Sequence, residues 1–468
     1  MKRSKVLLIS PSELKGVFSK SKLSVAIPDA PSLTLASLAV AIRKQHDVKV
    51  LDLCIVNEPL NELTKTLKEF KPDYVGITFT TPSFDEASKI ADLVKSHDKD
   101  IILIAGGVHT SSLPEETLIN SRFDIAVIGE GEKTLLEIAN GEKLDGIKGI
   151  YFKKDGVIHK NPLRELIENI DELPFPAWDL FDIKKYKSPR LTSKKSPVGK
   201  MESSRGCPFA CTYCNKCIFK RRFRAKSVNR VVDEIEYMLK IGFKEIHIED
   251  DCFTADIERA KKICDEIIRR KLKLYMNFQN GIRVDRVDEE LFHKMKKAGC
   301  YRVSLGVESG NQEILNKIKK GTNLEQLRKA FKLAKKAKIE TIGFFMVALP
   351  GDTKETIDQT IEFAKELKPD IVKIGITIPF PGTELYNELD SQGLIKSKDW
   401  RYYNYHNPNK IYNHENLSWE EIYAARKNFY KQIYLDPAFI YRRFIRGIRT
   451  GEIFYDIFYF LKSLKYDW

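Results

Sequence analysis

The 468-residue sequence lacks any uninterrupted apolar run near the roughly 18 residues that a membrane-spanning helix needs. Its first apolar run, Val6–Ile9, is shorter than the roughly 7–15 residues of a secretory signal core, and no small-residue cleavage site follows. Internal repeats and low-complexity tracts are also missing. These absences predict a cytoplasmic protein, in which clustered cysteines indicate a metal site more often than disulfides.

Basic residues outnumber acidic residues, but the excess is modest. Lysine and arginine number 79 against 65 acidic residues, for a net charge of +14. This sign suits an anionic partner such as nucleic acid, a phosphorylated substrate or an anionic membrane surface. The lysines are spread over amphipathic helical segments, however, so most of them belong to a solvated surface.

Residues 1–150 alternate short Val- and Ile-rich strands with helical segments. This alternation predicts an α/β domain built on a doubly wound parallel sheet. Ligands of such sheets bind at the carboxyl ends of the strands. Turns rich in glycine or hydroxyl side chains follow three of the strands and supply the candidate binding residues Thr80, Ser83, Gly106, Gly107, Val108, His109, Gly129, Glu130 and Gly131.

The rest of the chain divides into three further parts. Residues 151–198 are proline-rich and predict a linker with one hairpin. Residues 199–392 return to strand–helix alternation with six units, which predicts a partial (β/α)6 barrel of the TIM type with its catalytic groups at the strand carboxyl ends. Residues 393–468 predict a helical C-terminal region crowded with aromatic side chains.

Four of the eight cysteines lie within residues 207–217, directly after the first barrel strand. Cys207, Cys211 and Cys214 have the spacing C-x3-C-x2-C, which can bind three irons of a 4Fe–4S cluster and leave the fourth iron open. A structural zinc site would need a fourth ligand, which Cys217 could supply. No second cysteine pair or histidine pair stands at zinc-finger spacing, so the iron–sulfur interpretation is favoured.

The segment SSRGCPFACTYC, with Tyr213 before its last cysteine, resembles the signature of radical S-adenosylmethionine (SAM) enzymes. With GGVHTS, GEGE and LPFPAWDLF upstream, most of the chain resembles the cobalamin-binding branch of that superfamily, which includes corrinoid-dependent methylases and the anaerobic cyclases of chlorophyll and hopanoid-like lipid pathways. The resemblance implies a 4Fe–4S cluster on Cys207, Cys211 and Cys214, SAM on its open iron, bound cobalamin and an external low-potential electron donor. The radical made from SAM would abstract hydrogen from an unactivated carbon.

The resemblance also implies SAM contacts at the ends of the barrel strands, at Tyr213, Asp250, Asp251, Glu308, Ser309, Pro350 and Gly351. Carboxylates at Asp250 and Asp251 suit the ammonium group of SAM on physical grounds as well. Capping of the next helix is the alternative role of Asp251. Whether Asn277, Asn280 and Arg283 face the cavity stays open at this point.

Cobalamin is expected on the nine turn residues of the first sheet. Classical cobalamin domains use D-x-H-x-x-G, whose histidine ligates cobalt from below. The comparable turn, residues 52–57, reads DLCIVN and has neither the histidine nor the glycine. We therefore expect a corrinoid without a lower protein ligand, with a sheet retained only as a scaffold as the alternative.

The expected roles of the remaining cysteines and of His247 are simpler. Cys264 and Cys300 lie on apolar faces and are predicted core residues. Cys252 follows the aspartate pair and is predicted either in the core or at the site. His247 is predicted to be structural.

The sequence thus predicts a radical SAM methyltransferase or ring-forming enzyme. A cluster-bearing electron-transfer or binding protein is the alternative from another class, but it would need no pocket for SAM. A tRNA methylthiolase would need three more N-terminal cysteines, whereas Cys54 alone precedes Cys207. No nucleic-acid partner is therefore expected, and a C-methyltransferase acting on a soluble substrate remains an alternative.

The C-terminal region suggests the kind of substrate. Arg442, Arg443, Arg446 and Arg449 alternate with bulky apolar residues, as in a helix that lies among lipid headgroups. This pattern predicts peripheral contact with the inner face of the membrane. The tail resembles that of family members that modify lipids, and this resemblance implies a lipid or other small-molecule substrate. The alternative is that these aromatic residues cap the open end of the barrel.

Overall fold

The computed structural model describes residues 3–12, 30–404 and 408–464, with side chains up to Phe458. The strands are β1 Lys5–Ser10, β2 Asp47–Asp52, β3 Tyr74–Thr78, β4 Ile102–Gly106, β5 Ile125–Val127, β6 Ile150–Lys154, β7 Val157–Lys160, β8 Val198–Met201, β9 Ser204–Arg205, β10 Arg224–Ala225, β11 Glu245–Ile248, β12 Tyr275–Ile282, β13 Cys300–Glu308, β14 Glu340–Val347 and β15 Ile371–Ile376. The helices are α1 Leu33–Ile42, α2 Pro59–Phe70, α3 Phe84–His97, α4 Val108–Ser112, α5 Pro114–Ile119, α6 Glu132–Ala139, α7 Val228–Ile241, α8 Ile257–Arg269, α9 Glu289–Lys297, α10 Gln312–Lys317, α11 Leu324–Lys336, α12 Lys354–Leu367, α13 Glu384–Ser391, α14 Trp419–Tyr434, α15 Pro437–Thr450 and α16 Ile453–Leu464.

The first sheet has the order β2-β1-β3-β4-β5-β6-β7, and its first five strands are parallel. This is the doubly wound arrangement that the sequence predicts, with the order reversing at β1 and β3. The predicted hairpin is β6–β7, and it joins the sheet antiparallel to β5. The first sheet therefore extends to Lys160, beyond the residue-150 boundary expected from the sequence.

The second sheet has six parallel strands in the order β15-β14-β13-β12-β11-β8. The order follows the chain, so each strand–helix unit lies beside the previous one, and the predicted partial (β/α)6 barrel is confirmed. Val303 and Leu305 of β13 are fully buried in the hydrophobic core of this domain. The strand carboxyl ends point toward the first sheet's glycine-rich turns, because the loop that follows β8 contacts those turns.

Helix α14 covers the edge strand β15. The hydroxyls of Tyr430 and Tyr434 lie 3.2 and 3.1 Å from the amide nitrogens of Ile374 and Val372. One turn of helix separates the two tyrosines, so they reach alternate residues of the strand. Their hydroxyls satisfy backbone groups that an exposed edge would leave open.

Helices α15 and α16 form a hairpin at the amino ends of the barrel strands. Arg446 lies 2.6 Å and Arg443 lies 3.3 Å from the buried carboxylate of Glu340, the first residue of β14. These two arginines therefore attach the hairpin to this end of the barrel, but the capping alternative concerns the aromatic and other apolar residues. It does not hold for most of the bulky apolar residues, since Ile440, Tyr441, Phe444, Ile448, Phe454, Tyr455, Ile457 and Phe458 are exposed.

Candidate functional site

The three predicted cluster cysteines lie on one closed loop, residues 206–223. Strands β9 and β10 pair antiparallel and form the stem of this loop. Gly206 opens the loop with φ at +80°, and a Cβ atom there would lie 2.2 Å from the carbonyl oxygen of Arg222. Only glycine therefore allows the stem to close at this position.

The loop is held by contacts with the barrel and with the first domain. The amide of Thr212 donates to the carbonyl of Ile318, and Asn215 Nδ2 donates to Pro381 O at 2.7 Å. The guanidinium of Arg283 lies 3.5 Å from the centre of the Phe209 ring. Arg283, which the sequence left undecided, thus supports the cluster loop from below by a cation–π contact.

The cysteine side chains differ in environment. A hydrogen bond from Cys252, together with the Phe209 amide and the Lys216 charge, lowers the pKa of Cys207 to about 6 despite burial. A thiolate is the form that binds iron. Cys217 instead has its sulfur 3.3 Å from Ser112 Oγ and 3.5 Å from Val108 O, so it faces the first domain.

The arrangement suits a cubane better than a single metal ion. Among the residues that the structure describes, no three His, Cys, Asp or Glu side chains converge as ligands of one ion. Thiolates that each bind a different iron of a 4Fe–4S cluster are separated by the width of the cluster. Cys207, Cys211 and Cys214 are half-buried to exposed on one loop, where a cluster could reach them, whereas Cys217 faces Ser112 and Val108 of the first domain and so does not complete a four-cysteine zinc site.

The two aspartates after β11 have different roles. Asp250 is buried and accepts hydrogen bonds from Ser203 N and Oγ at 2.6 Å and from Ser204 Oγ at 2.5 Å. Its carboxylate fixes the strand end that leads into the cluster loop. Asp251 is exposed and accepts from Gly206 N at 3.0 Å, so it is the aspartate available at the barrel mouth. The helix-capping alternative for Asp251 is wrong, because Asp256 caps α8.

Glu308, Lys320 and Tyr213 form a cluster that sequence reasoning found only in part. Lys320 Nζ lies 2.6 Å from Glu308 Oε1 and 3.5 Å from the Tyr213 hydroxyl. Gly306 leaves the space for this pair, since a Cβ atom there would lie 2.6 Å from the Glu308 carboxylate. Burial raises the pKa of Tyr213, so this hydroxyl remains a donor at neutral pH. Lys320 was missed because it lies in a lysine-rich turn between helices, where surface lysines are ordinary.

The other predicted SAM residues lie at turns held by neighbouring elements. The Ser309 hydroxyl is 3.2 Å from Thr360 Oγ1 on α12 and accepts from the Asn311 amide. The amide of Gly351 donates to Glu415 from the C-terminal region, and Gly351 has φ at +87°. Next to it, Pro350 follows Leu349, whose carbonyl oxygen lies 3.0 Å from His414 Nε2. The C-terminal region therefore supports this strand end.

Asn277, Asn280 and His247 do not converge on the cluster loop. Asn277 is buried and lies near Thr192 O and the Tyr301 hydroxyl, and Asn280 donates to Glu249 O at 2.8 Å. His247 is buried against Glu245 at 2.7 Å, in keeping with a structural role. Cys252, Cys264 and Cys300 are buried, and the last two are core residues as predicted.

A cavity of about 410 Å³ lies between the two domains. The strand ends of the first sheet form one side, and the other side is formed by Glu202 and Arg205 before the cluster loop and by Ile218 and Phe219 on it. Seven of the nine predicted turn residues line it, namely Thr80, Gly106, Gly107, Val108, Gly129, Glu130 and Gly131. Gly107 has φ at +98°, and a Cβ atom there would lie 2.6 Å from Phe79 O. Because glycine has no side chain, the backbone at Gly107 can lie against the backbone of Phe79. This leaves a flat wall, which suits a planar macrocycle such as a corrin.

Ser83 and His109 are buried outside the lining of this cavity, in contrast to the expectation that they contact cobalamin. His109 is fully buried, with Nδ1 3.2 Å from Thr81 Oγ1 and its ring 4.7 Å from that of Phe84. Trp400 from the C-terminal region packs on its other side at 5.4 Å. His109 follows Val108 on a short helix, which turns its side chain into the core beneath the cavity.

Comparisons with known proteins agree with this two-part site. Residues 201–364 match the radical SAM superfamily, and residues 23–139 match the B12 binding domain. An uncharacterized methyltransferase of Pyrococcus horikoshii is 34% identical over 96% of this chain and 98% of that protein. The anaerobic magnesium-protoporphyrin IX monomethyl ester cyclase of Rubrivivax gelatinosus is 28% identical over 83% of this chain and 71% of that protein. Hopanoid C-3 methylase of Methylococcus capsulatus is 26% identical over 85% of this chain and 74% of that protein.

A solved structure shares the overall fold. The cobalamin-dependent SAM radical enzyme OxsB, with aqua-cobalamin and SAM bound, superposes with a TM-score of 0.74 at 19% identity, over 96% of this chain and 71% of that one. A radical SAM domain uses a 4Fe–4S cluster and SAM, and a B12 binding domain uses cobalamin, so these are the cofactors of this chain. The chain belongs to the cobalamin-binding branch of the radical SAM superfamily and is an enzyme of the methyltransferase and cyclase type.

Proposed function

We propose that this enzyme modifies an unactivated carbon of a lipid or other membrane-associated substrate, by methylation or by ring formation. The observation that carries the reaction type is the cavity between the two domains, which has the glycine-rich strand ends on one side and the cluster loop on the other. A substrate carbon held there would lie within reach of both cofactor sites. Methylation is favoured over ring closure, because the relative at 34% identity is named a methyltransferase.

The residues of the site have proposed roles that follow from their positions. When bound, the cofactors supply hydrogen abstraction and methyl transfer. Cys207, Cys211 and Cys214 would hold the cluster on the loop that Gly206 closes. Asp251, exposed at the barrel mouth, would accept from the ammonium group of SAM, since a cation there gains a charge-assisted hydrogen bond.

The Glu308–Lys320 pair would orient the opposite side of SAM. Its members lie 2.6 Å apart and are nearly buried, so the pair has a defined geometry. Lys320 would donate to the carboxylate of SAM, while Glu308 accepts from its ribose hydroxyls. Tyr213, which stays protonated, adds a further donor beside the cluster loop.

The α15–α16 hairpin supports the membrane-associated part of the proposal. Phe454 is 81% and Tyr441 67% exposed, and Arg449 is exposed among them. Apolar side chains beside cations are the composition of a surface that binds among anionic headgroups. No helix in the described part of the chain has the length and apolar character to cross a bilayer. A relative named for methylating a hopanoid, which is a lipid, adds support.

The hairpin packs at the amino ends of the barrel strands, whereas the cluster loop follows a strand carboxyl end. It would therefore anchor the enzyme at a membrane and would not itself line the site. A C-methyltransferase for a soluble substrate is the alternative, and it needs no such anchor.

Product analysis tests the proposed reaction. The enzyme is reconstituted anaerobically with iron, sulfide and hydroxocobalamin, reduced, and given SAM labelled in its methyl group together with either a lipid or an aqueous cell extract. Label that enters a lipid supports methylation, whereas an unlabelled lipid product that has lost hydrogen supports ring formation. Label that enters only aqueous products would establish the soluble-substrate alternative.

Vesicle binding tests the membrane contact separately. The intact protein should sediment with phosphatidylglycerol vesicles at low salt, and Phe454→Ser should weaken this binding several-fold. Ile119→Ser is the matched control, because Ile119 is also largely exposed, at 64%, but lies in the first domain. Equal binding by the two variants would contradict a role for the hairpin.

A further inference from the structure

Four buried charged residues connect the first domain to the stem of the cluster loop. We call them the domain clamp: Glu130 from the turn after β5, Glu132 from the start of α6, Arg205 from β9 and Arg224 from β10. Arg205 lies 2.6 Å from Glu130 and 2.6 Å from Glu132, and Arg224 lies 2.9 Å from Glu130. Their side chains are 3 to 8% exposed. The clamp therefore holds both strands of the stem against the turn after β5 and the start of α6.

The clamp also gives a structural role to Glu130 of the GEGE turn, which the sequence assigned to cobalamin. Both carboxylate oxygens of Glu130 are engaged, since Oε2 also accepts from the amide of Ile167 at 2.7 Å. This carboxylate has its hydrogen-bonding capacity filled by protein donors. Phe219, on the cavity wall, lies between the two arginines, with its ring centre 5.5 Å from Arg205 and 5.6 Å from Arg224.

We propose that Arg205 and Glu132 are positioning residues that fix the cluster loop relative to the corrinoid cavity. The inference rests on the proposed function, because transfer between two cofactors needs a constant separation between them. Buried ion pairs suit this task, because moving the two groups apart leaves a buried charge without its partner, which is strongly unfavourable. The pair therefore favours one relative position of the two segments that carry it. Arg205 binds Glu130, Glu132 and Glu202 through three different nitrogens of its planar guanidinium, a rigid fork of donors that the single ammonium of lysine lacks.

Pulsed electron paramagnetic resonance measures that separation without a substrate. The full-length enzyme is loaded with cluster and hydroxocobalamin and reduced until both the cluster and the cobalt are paramagnetic. The native enzyme should give a narrow distribution of cluster-to-cobalt distances. Arg205→Lys and the milder Glu132→Gln should broaden it, with iron and corrinoid contents unchanged. Glu137→Gln is the matched control, because Glu137 lies on the same helix and pairs with Arg164, away from the stem.

Hydrogen exchange provides a second readout that does not depend on the corrinoid. In cluster-loaded protein, amides of residues 206–223 should exchange more than about tenfold faster in Arg205→Lys than in the native chain or in Glu137→Gln. If the native enzyme retains no corrinoid, the proposed function fails, while the exchange result still decides the clamp. Native exchange and a native distance distribution in both clamp variants would overturn the inference.

Discussion

Replacing Glu340 by glutamine should destabilise the barrel and release the C-terminal hairpin. The carboxylate of Glu340 is 5% exposed and faces three guanidinium groups, those of Arg302 at 2.7 Å, Arg446 at 2.6 Å and Arg443 at 3.3 Å. Burial alone would raise the pKa of Glu340, but these cations lower it from 4.5 to about 2. At about 1.4 kcal/mol per pKa unit, the charged form contributes about 3 kcal/mol to the free energy of unfolding at neutral pH.

The substitution Glu340→Gln removes the negative charge and leaves the three arginines without a charged partner there. The free energy of unfolding should therefore fall by about 3–5 kcal/mol. Urea unfolding at pH 7, followed by far-ultraviolet circular dichroism, measures this loss. Glu325→Gln is the control, because Glu325 pairs with Arg328 while 79% exposed, and its loss should stay below about 1 kcal/mol. Limited proteolysis should cut Glu340→Gln faster between α14 and α16, since Arg443 and Arg446 hold α15 through Glu340.

The pH dependence follows from the sign of the shift. Because the folded-state pKa of Glu340 is lowered, its contribution is complete above pH 4.5 and is lost as the pH falls toward 2. The difference between the native chain and Glu340→Gln should therefore shrink over that interval. Equal stability of Glu340→Gln and Glu325→Gln at pH 7 would refute the reasoning, as would a difference that persists unchanged at pH 2.

Three further predictions concern the cofactor sites. Cys211→Ala should lose the 4Fe–4S absorption and the reductive cleavage of SAM, whereas Cys217→Ala should keep both; normal cleavage in Cys211→Ala would contradict the ligand assignment. Purified enzyme mixed with hydroxocobalamin should retain it through gel filtration with a base-off spectrum, and a base-on spectrum would show a lower ligand. Gly206→Ala should lower the free energy of unfolding by more than about 1–2 kcal/mol, because of the positive φ and the close contact with the carbonyl oxygen of Arg222. It should also lower the iron bound per chain, and a native iron content would show that the stem closes without glycine.

The sequence by itself determined the features that depend on local spacing. The C-x3-C-x2-C motif places three cysteines on one loop whatever surrounds it, and this spacing points to a cluster. The alternation of strand and helix segments predicted both parallel sheets, because a helical crossover between consecutive strands lets them run parallel. Gly107 and Gly129 mark strand ends where the backbone must turn tightly beside a ligand, so most of the predicted turn residues do line the cavity.

Only the tertiary structure decided what each polar side chain contacts. Arg205 and Glu130 are 75 residues apart, and no local pattern shows that a buried ion pair joins them. Lys320 becomes a candidate SAM residue because the turn before α11 lies against Glu308, and His109 leaves the cavity because its helix turns it toward Trp400. Arg443 and Arg446 face Glu340 while their neighbours Tyr441 and Phe444 face outward. Hydrophobic periodicity constrains which face of an element is buried, but the partner of a charge depends on which distant segment packs there.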